Sequence, residues 1–222
     1  MKYIIRIGLL FVIILLPIFF ILFFNVFGEN HHRLFVFQPI DSVKTDKGYE
    51  ITNAFTVPDF NFTSQEGKAF SSASLKGKIY VANFIFTRCE TQCKQMTNQM
   101  IRVQEAFKNN SAVSIVSFTV DPAYDSVQVL KQYAASYGAL PNKWHFLTGK
   151  KEDIYTLGQK GFFVSAMEEQ GLPISFIHSE KFILVDQHGW IRGFYDGTDQ
   201  KEVDRLIMEI QVLEDIALKD EK

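Results

Sequence analysis

The first 27 residues of the chain differ in kind from all that follow. From Ile7 to Phe24 the sequence IGLLFVIILLPIFFILFF carries no charge, and apolar residues continue to Phe27. At about 1.5 Å per residue, a helix over residues 7–27 is about 30 Å long, which matches the hydrocarbon core of a bilayer. The sequence therefore predicts one N-terminal transmembrane helix, with residues 1–28 as a cytoplasmic N-terminus and membrane anchor.

A cleaved signal peptide is the competing interpretation of this segment. It would have a shorter apolar region and a small-x-small cleavage site, and the sequence NVFGEN at residues 25–30 offers no such site. Lys2 and Arg6 precede the span, so the positive-inside rule places the rest of the chain outside the cytoplasm. No Arg- and Ser-rich leader precedes the span, which favours a bacterial membrane. We expect a single-pass protein of the inner (cytoplasmic) membrane with its soluble domain on the outer, periplasmic side.

The remaining residues suit one globular domain on a short tether. Residues 29–52 are polar and mixed, which is typical of a juxtamembrane linker, and residues 53–217 carry the regular patterns of a folded domain. Residues 218–222 are a C-terminal tail. The formal net charge is −2, so the chain lacks the basic surface that nucleic-acid binding needs, and we expect no nucleic-acid partner.

Strand and helix patterns alternate through this domain. A hairpin is predicted over residues 59–71, and the apolar runs IYVANFIF and VSIVSFTV predict strands buried on both faces. Helical spacing follows each run; Asp125 or Ser126 is a candidate cap for the second helix. A short strand at 144–147, a short helix at 152–159, a hairpin at 182–195 and a helix to about residue 217 complete the order. This order predicts an α/β sandwich with a mixed central sheet.

Cys89 and Cys93 are the only cysteines, and they lie where the first buried strand meets its helix. A helix N-terminus favours the thiolate that metals bind. At i and i+4 in a helix the Cβ atoms are about 5–6 Å apart, whereas a relaxed disulfide needs about 3.8 Å. The pair is therefore better placed to chelate a soft metal ion than to form an unstrained disulfide, although a distorted first turn would still permit oxidation.

Two thiolates seldom complete a metal site, so a further ligand is expected from elsewhere in the chain. His188 occupies a turn, His145 lies in a strand, and the pair at residues 31–32 lies in the linker, where ordinary surface or core roles are expected. His178 precedes the strand that starts near Phe182, and Met96 is the methionine nearest to the cysteines. From the residues alone, the identity of this ligand stays open.

Four blocks carry a resemblance to a known family. They are FIFTRCETQC, SFTVDPAYDSVQVLKQYAASYGA, WHFLTG and IHSEKFILVDQHGWIRGFYDG, and the resemblance that they carry extends over about residues 55–215. In order and spacing they resemble the Sco/SenC family. That resemblance implies a thioredoxin-like fold and one copper ion per domain, as Cu(I) or Cu(II). It also implies that Cys89, Cys93 and His178 are the metal ligands.

The resemblance further implies a role in assembling the dinuclear copper site of cytochrome c oxidase. The expected function is a membrane-anchored metallochaperone rather than an enzyme, which delivers copper to that site or prepares its thiols. The expected partner is a copper-receiving oxidase subunit or another copper protein. The resemblance also places Asp121 near the metal, where it would bond to His178 or help to dock the partner, unless it only forms an Asp-Pro turn.

One departure from the family pattern keeps an alternative open. The family usually has prolines where Glu90 and Lys94 follow the two cysteines here, and proline would stiffen the loop and the helix start. A thiol–disulfide oxidoreductase that uses Cys89 and Cys93 on extracytoplasmic proteins is the second hypothesis. Against it, the CxxxC spacing differs from the CxxC expected of a thioredoxin-like redox enzyme, and such an enzyme has no need of a ligand at His178.

Overall fold

The computed structural model describes residues 13, 15–20, 34–37, 39–45, 48–89, 91–164 and 179–220. The chain consists of two compact units, Met1–Arg33 and Leu34–Lys222. In the first unit the described residues, Ile13 and 15–20, are helical. The rest of the predicted span at 7–27 lies outside the described residues. Within the parts that are described, no helix is both long and apolar enough to cross a membrane.

The second unit is built on a seven-stranded mixed sheet. Its strands follow a separate two-stranded hairpin, β1 (Pro39–Thr45) with β2 (Gly48–Ala54). The sheet strands are β3 (Asn61–Ser64), β4 (Ala69–Ser71), β5 (Ile79–Ile85), β6 (Val113–Thr119), β7 (Trp144–Thr148), β8 (Lys181–Val185) and β9 (Ile191–Asp196). Their order is β4-β3-β7-β6-β5-β8-β9, with β5, β6 and β7 parallel and the other pairings antiparallel. The predicted mixed α/β architecture is confirmed.

Helices cover both faces of this sheet. They are α1 (Gln92–Ala106), α2 (Val127–Ser136), α3 (Lys151–Thr156) and α4 (Gln200–Asp220). The buried sides of α1, α2 and α4 share one apolar cluster, which includes Met96, Leu130 and Leu206. The other face is covered by α3, by a π-helical turn at Leu157–Gly161 and by a 3-10 turn at Ser72–Leu75.

The central strand β5 shows why the sequence folds this way. All seven of its residues are buried, as they are in β6. Val81 and Ile85 point to the cluster with α1 and α4, whereas Ala82 and Phe84 point to the opposite cluster. Because side chains alternate across a strand, a continuous apolar run is stable only where both faces are covered.

The structure differs from the sequence expectations mainly before residue 55. The β1–β2 hairpin occupies much of the segment predicted as a linker, where no strand was expected. Residues 34–37 contact β9: the Phe37 N–H donates to the Ile191 carbonyl at 2.8 Å, and Val36 is buried. At the other end of the chain, α4 continues to Asp220, three residues beyond its expected end.

Candidate metal centre

The cysteine pair lies at the carboxyl end of β5. A turn follows the strand, in which the Cys89 N–H donates to the Phe86 carbonyl at 3.2 Å, and α1 begins at Gln92. Cys89 is 8% exposed and Cys93 2% exposed, and no disulfide joins them. Both sulfurs therefore border the apolar cluster beneath α1 rather than open solvent. Glu90 lies outside the described residues.

The sulfur of Cys89 accepts a hydrogen bond from the first turn of α1. The Cys93 N–H donates to Cys89 Sγ at 3.4 Å, and the same sulfur lies 4.0 Å from the Thr91 hydroxyl. The first N–H groups of a helix have no carbonyl partner within it, and the Thr91 side chain at the cap position makes no capping bond. This hydrogen bond fixes the Cys89 sulfur beside the residue that carries the second thiol.

Burial controls the protonation of Cys93. It raises the pKa of the Cys93 thiol to about 12, and the neighbouring Cys89 side chain and the charge of Asp125 add to that rise. A hydrogen bond with the Phe86 backbone acts in the opposite direction. At Cys93, burial therefore outweighs the helix N-terminus, which was expected to favour the thiolate.

The chemistry of the two donors fits a soft metal ion. Two sulfurs four residues apart lie together in a site with little access to water, and thiolates select ions such as Cu(I). Binding requires each sulfur to lose its proton. Because the pKa of Cys93 is raised, a metal ion must displace a firmly held proton from this thiol. Among the side chains the structure describes, no group of three or more His, Cys, Asp or Glu could hold a metal ion.

Asp121 follows β6 and reaches the cysteine turn through Arg88. Its carboxylate, in a residue only 9% exposed, forms an ion pair with Arg88, whose guanidinium lies 4.4 Å above the Tyr124 ring. The Asp121 carbonyl also accepts the Asp125 N–H at 2.9 Å, so the Asp-Pro turn is present as well. Its expected bond to His178 involves a residue outside the described part.

The importance of Asp125 is not evident from the sequence, which indicates this residue only as a candidate helix cap. Ser126 is the cap, since its side chain accepts the Val129 N–H. The Asp125 carboxylate, fully buried, accepts the Thr87 N–H at 3.2 Å and the hydroxyls of Thr87 and Thr119. The sequence does carry one indication of this role. Asp121 follows the buried strand β6, and Asp125 is a second acidic residue four positions later.

His178 and the linker histidines lie outside the described residues. Ser179, the first described residue after His178, is buried just before β8. Because β8 is antiparallel to β5 with Ile183 opposite Ala82, Ser179 lies at the end of the sheet where β5 leads to Cys89. This is the end that a ligand from the β8 side must reach.

The other two histidines lie away from the cysteine pair. His188 is in the turn at the far end of β8, where its N–H donates to Asp186 at 2.9 Å. His145 lies in β7, with its ring 4.6 Å from that of Phe70. Both positions agree with the surface and core roles expected from the sequence.

Comparison with known proteins gives a consistent result. The SCO1/SenC family model matches residues 49–213. The SCO1 protein homolog of Bacillus subtilis (strain 168) is 36% identical over 159 residues, which cover 71% of this chain and 82% of that protein. A protein of Stutzerimonas stutzeri described as a putative copper-binding protein is 33% identical over 141 residues, covering 62% and 67% of the two chains.

Solved structures agree with the fold. A SCO1/SenC family lipoprotein from Bacillus anthracis str. Ames is 33% identical with a TM-score of 0.63, covering 72% of this chain and 95% of that one. BsSco, described as a member of the Sco family of cytochrome c oxidase assembly proteins with a disulfide switch, is 34% identical with a TM-score of 0.60, covering 72% and 93%. On the family match and these relatives, this chain belongs to the SCO1/SenC family and has its thioredoxin-like α/β fold.

Proposed function

We propose that this chain is a membrane-anchored copper-binding protein that delivers copper to the dinuclear site of cytochrome c oxidase or prepares the thiols of that site. The observation that carries the proposal is the buried pair Cys89 and Cys93 at the β5–α1 junction of a SCO1/SenC family chain. Two relatives above 30% identity support it, one described as a putative copper-binding protein and one as a cytochrome c oxidase assembly protein.

Each protein group has a separate role in this proposal. Cys89 and Cys93 supply two soft sulfur ligands, and His178 supplies an imidazole nitrogen, which suits copper in either oxidation state. The position of Ser179 supports His178 as a ligand, because Ser179 follows His178 directly and lies at the end of the sheet that carries the cysteines. A site with three protein ligands leaves copper able to accept a ligand from a recipient, as transfer between proteins requires.

The setting of the site supports delivery outside the cytoplasm. We propose that residues 7–27 anchor the chain in the inner membrane, with Lys2 and Arg6 on the cytoplasmic side. The copper site would then face the periplasm, where a copper-receiving oxidase subunit or another copper protein exposes its thiols. Asp121 and its partner Arg88, which is half exposed beside the cysteine turn, are candidates for contacting that recipient.

Copper titration of the full chain tests the proposal. In detergent micelles under reducing conditions, we expect about one Cu(I) per chain, measured by competition with a chromogenic chelator. Loss of a ligand should weaken binding by more than the roughly 10–100-fold typical of changes around a metal site. Cys89→Ser, Cys93→Ser and His178→Ala should each show such a loss.

His188→Ala is the matched control for the histidine variant, because His188 lies in a turn at the opposite end of β8. It should bind copper as the wild type does. Equal copper affinity in His178→Ala and wild type would remove His178 from the ligand set.

A thiol–disulfide oxidoreductase is the second candidate. Two observations favour it: the thiols of Cys89 and Cys93 interact directly, and BsSco is described as having a disulfide switch. Insulin reduction by the same preparation separates the two functions. Rapid turnover together with weak copper binding would support the oxidoreductase and contradict the copper proposal.

A further inference from the structure

We propose that Asp125 is a positioning residue for the cysteine pair, acting through Thr87 to hold the turn that carries Cys89. The inference rests on the proposed function, since it concerns how the copper ligands are held. Asp125 lies on the segment after β6 rather than on the cysteine turn, and its carboxylate accepts hydrogen bonds from Thr87 and Thr119.

The Asp125 carboxylate is fully buried. A carboxylate removed from water is strongly destabilising unless hydrogen-bond donors replace the lost solvent. Asp125 is 0% exposed and has three such donors: the backbone N–H of Thr87 and the hydroxyls of Thr87 and Thr119. Hydrogen bonds to a charged acceptor are stronger than neutral ones, so the carboxylate is a firm point of attachment.

The donors to Asp125 lie at or just beyond the ends of two different strands. Thr119 ends β6, and Thr87 lies in the turn after β5, two residues before Cys89. The carboxylate therefore joins the carboxyl ends of two adjacent strands at the point where the cysteine turn leaves the sheet. The Val120 N–H, which donates to the Ile85 carbonyl at 2.8 Å, continues the same connection on the backbone.

The position of the Cys89 sulfur depends on the turn that contains Thr87. Cys89 is held at one end by its N–H bond to Phe86 and at its sulfur by the Cys93 N–H. Both contacts depend on the path of the chain through Thr87. If the carboxylate no longer holds Thr87, the Cys89 sulfur loses its fixed place beside the N-terminus of α1.

Substitution of Thr87 isolates this effect in the full chain. Thr87→Val keeps the shape of the side chain and removes its hydroxyl, whereas Thr87→Ser keeps the hydroxyl. Asp125→Ala removes the acceptor of all three bonds. We expect Thr87→Val and Asp125→Ala to weaken Cu(I) binding by about 10–100-fold, and Thr87→Ser to restore most of the affinity.

A second readout does not depend on copper. Because the chain has only two cysteines, labelling with ¹⁵N-cysteine gives two amide signals, which Cys89→Ser assigns. The Cys93 amide reports its bond to the Cys89 sulfur. In the metal-free chain, we expect this amide to exchange its proton about tenfold faster in Thr87→Val and Asp125→Ala than in wild type or Thr87→Ser.

The outcomes separate this inference from the proposed function. A wild-type chain that binds no copper would contradict the proposed function, and the amide exchange alone would then decide the role of Asp125. Wild-type exchange of the Cys93 amide in folded Thr87→Val would overturn the inference, as would an equal loss of copper affinity in Thr87→Ser and Thr87→Val. If Asp125→Ala fails to fold, the two Thr87 variants still give the answer.

Discussion

At Cys93, two effects act on one thiol in opposite directions. The start of α1 favours a negative charge, but burial favours the neutral form, and burial has the larger effect. The sequence shows that the residue lies at the start of a helix but not how deeply it is buried, because the apolar cluster that contains it is assembled from distant elements, α2 and α4 among them. The sequence therefore predicts which cysteine is a metal ligand better than it predicts whether that thiol is protonated.

His145 offers a test of the same balance away from the site. Burial, assisted by the charge of Lys78, lowers the pKa of His145 below its ordinary value of about 6.5. Below pH 6.5 the unfolded chain then binds more protons than the folded one, so the free energy of unfolding decreases as pH falls through this range. We expect His145→Gln to reduce that decrease, measured by urea denaturation between about pH 7.5 and pH 5.5.

The exposed His188 provides the comparison for that experiment. His188→Gln makes the same substitution at an exposed turn residue and is the matched comparison variant. An unchanged slope in His145→Gln would mean that His145 makes no contribution to acid sensitivity.

Among the elements, those with two covered faces were predicted best. The apolar runs of β5 and β6 and the spacing of Met96 and Met100 in α1 point to the core without further information. The β1–β2 hairpin lacks such a signal, because the residues from Asp41 to Lys44 are all exposed. Without a buried face, alternation has no consistent period, and the segment resembles a linker.

The short segment at residues 34–37, predicted as linker, packs on the domain through both side chains and backbone. Leu34 and Phe37 are half-buried against the two core clusters, and the Phe37 ring contacts an aromatic ring of β9 at 5.0 Å between centroids. The Arg192 side chain donates to the carbonyls of Leu34 and Phe35 at 2.8 and 3.0 Å. These partners lie in β9, far along the chain, so the local sequence does not indicate them. Val36 is buried, at 5% exposed, whereas Phe35 is 72% exposed.

Truncation of these two neighbouring side chains should change the free energy of unfolding by different amounts. Val36→Ala should lower the free energy of unfolding by about 1.5 kcal/mol, since two buried methyl groups are lost. Phe35→Ala keeps the backbone bonds and should change it by less than about 0.5 kcal/mol. Urea denaturation followed by the fluorescence of buried Trp144 measures both. Equal values for the two variants would show that the segment does not pack on the domain in solution.

In the molecule as a whole, the pairing of strands that are distant in sequence determines which residues meet at the site, and local sequence patterns do not predict that pairing. The cysteine motif is local, and its place at a strand end was predicted from the sequence. Nothing local shows that β8 pairs antiparallel with β5 and so brings Ser179 to the same end of the sheet. His178 was therefore selected by family resemblance, and Arg88 and Asp125, whose contacts cross between β5 and β6, were not selected at all.

The orientation of the whole chain is the remaining expectation that charge decides. If residues 7–27 span the inner membrane with Lys2 and Arg6 inside, alkaline phosphatase fused after Lys222 should be active, because its disulfides form only outside the cytoplasm. Replacing both basic residues by glutamate should reduce that activity, since the N-terminus would lose its cytoplasmic preference. Lys76→Glu makes a single charge reversal on the exposed surface of the domain and should have no effect. Fusion activity that is low in the wild type and unaffected by the double substitution would contradict a periplasmic domain, and with it the delivery of copper outside the cytoplasm.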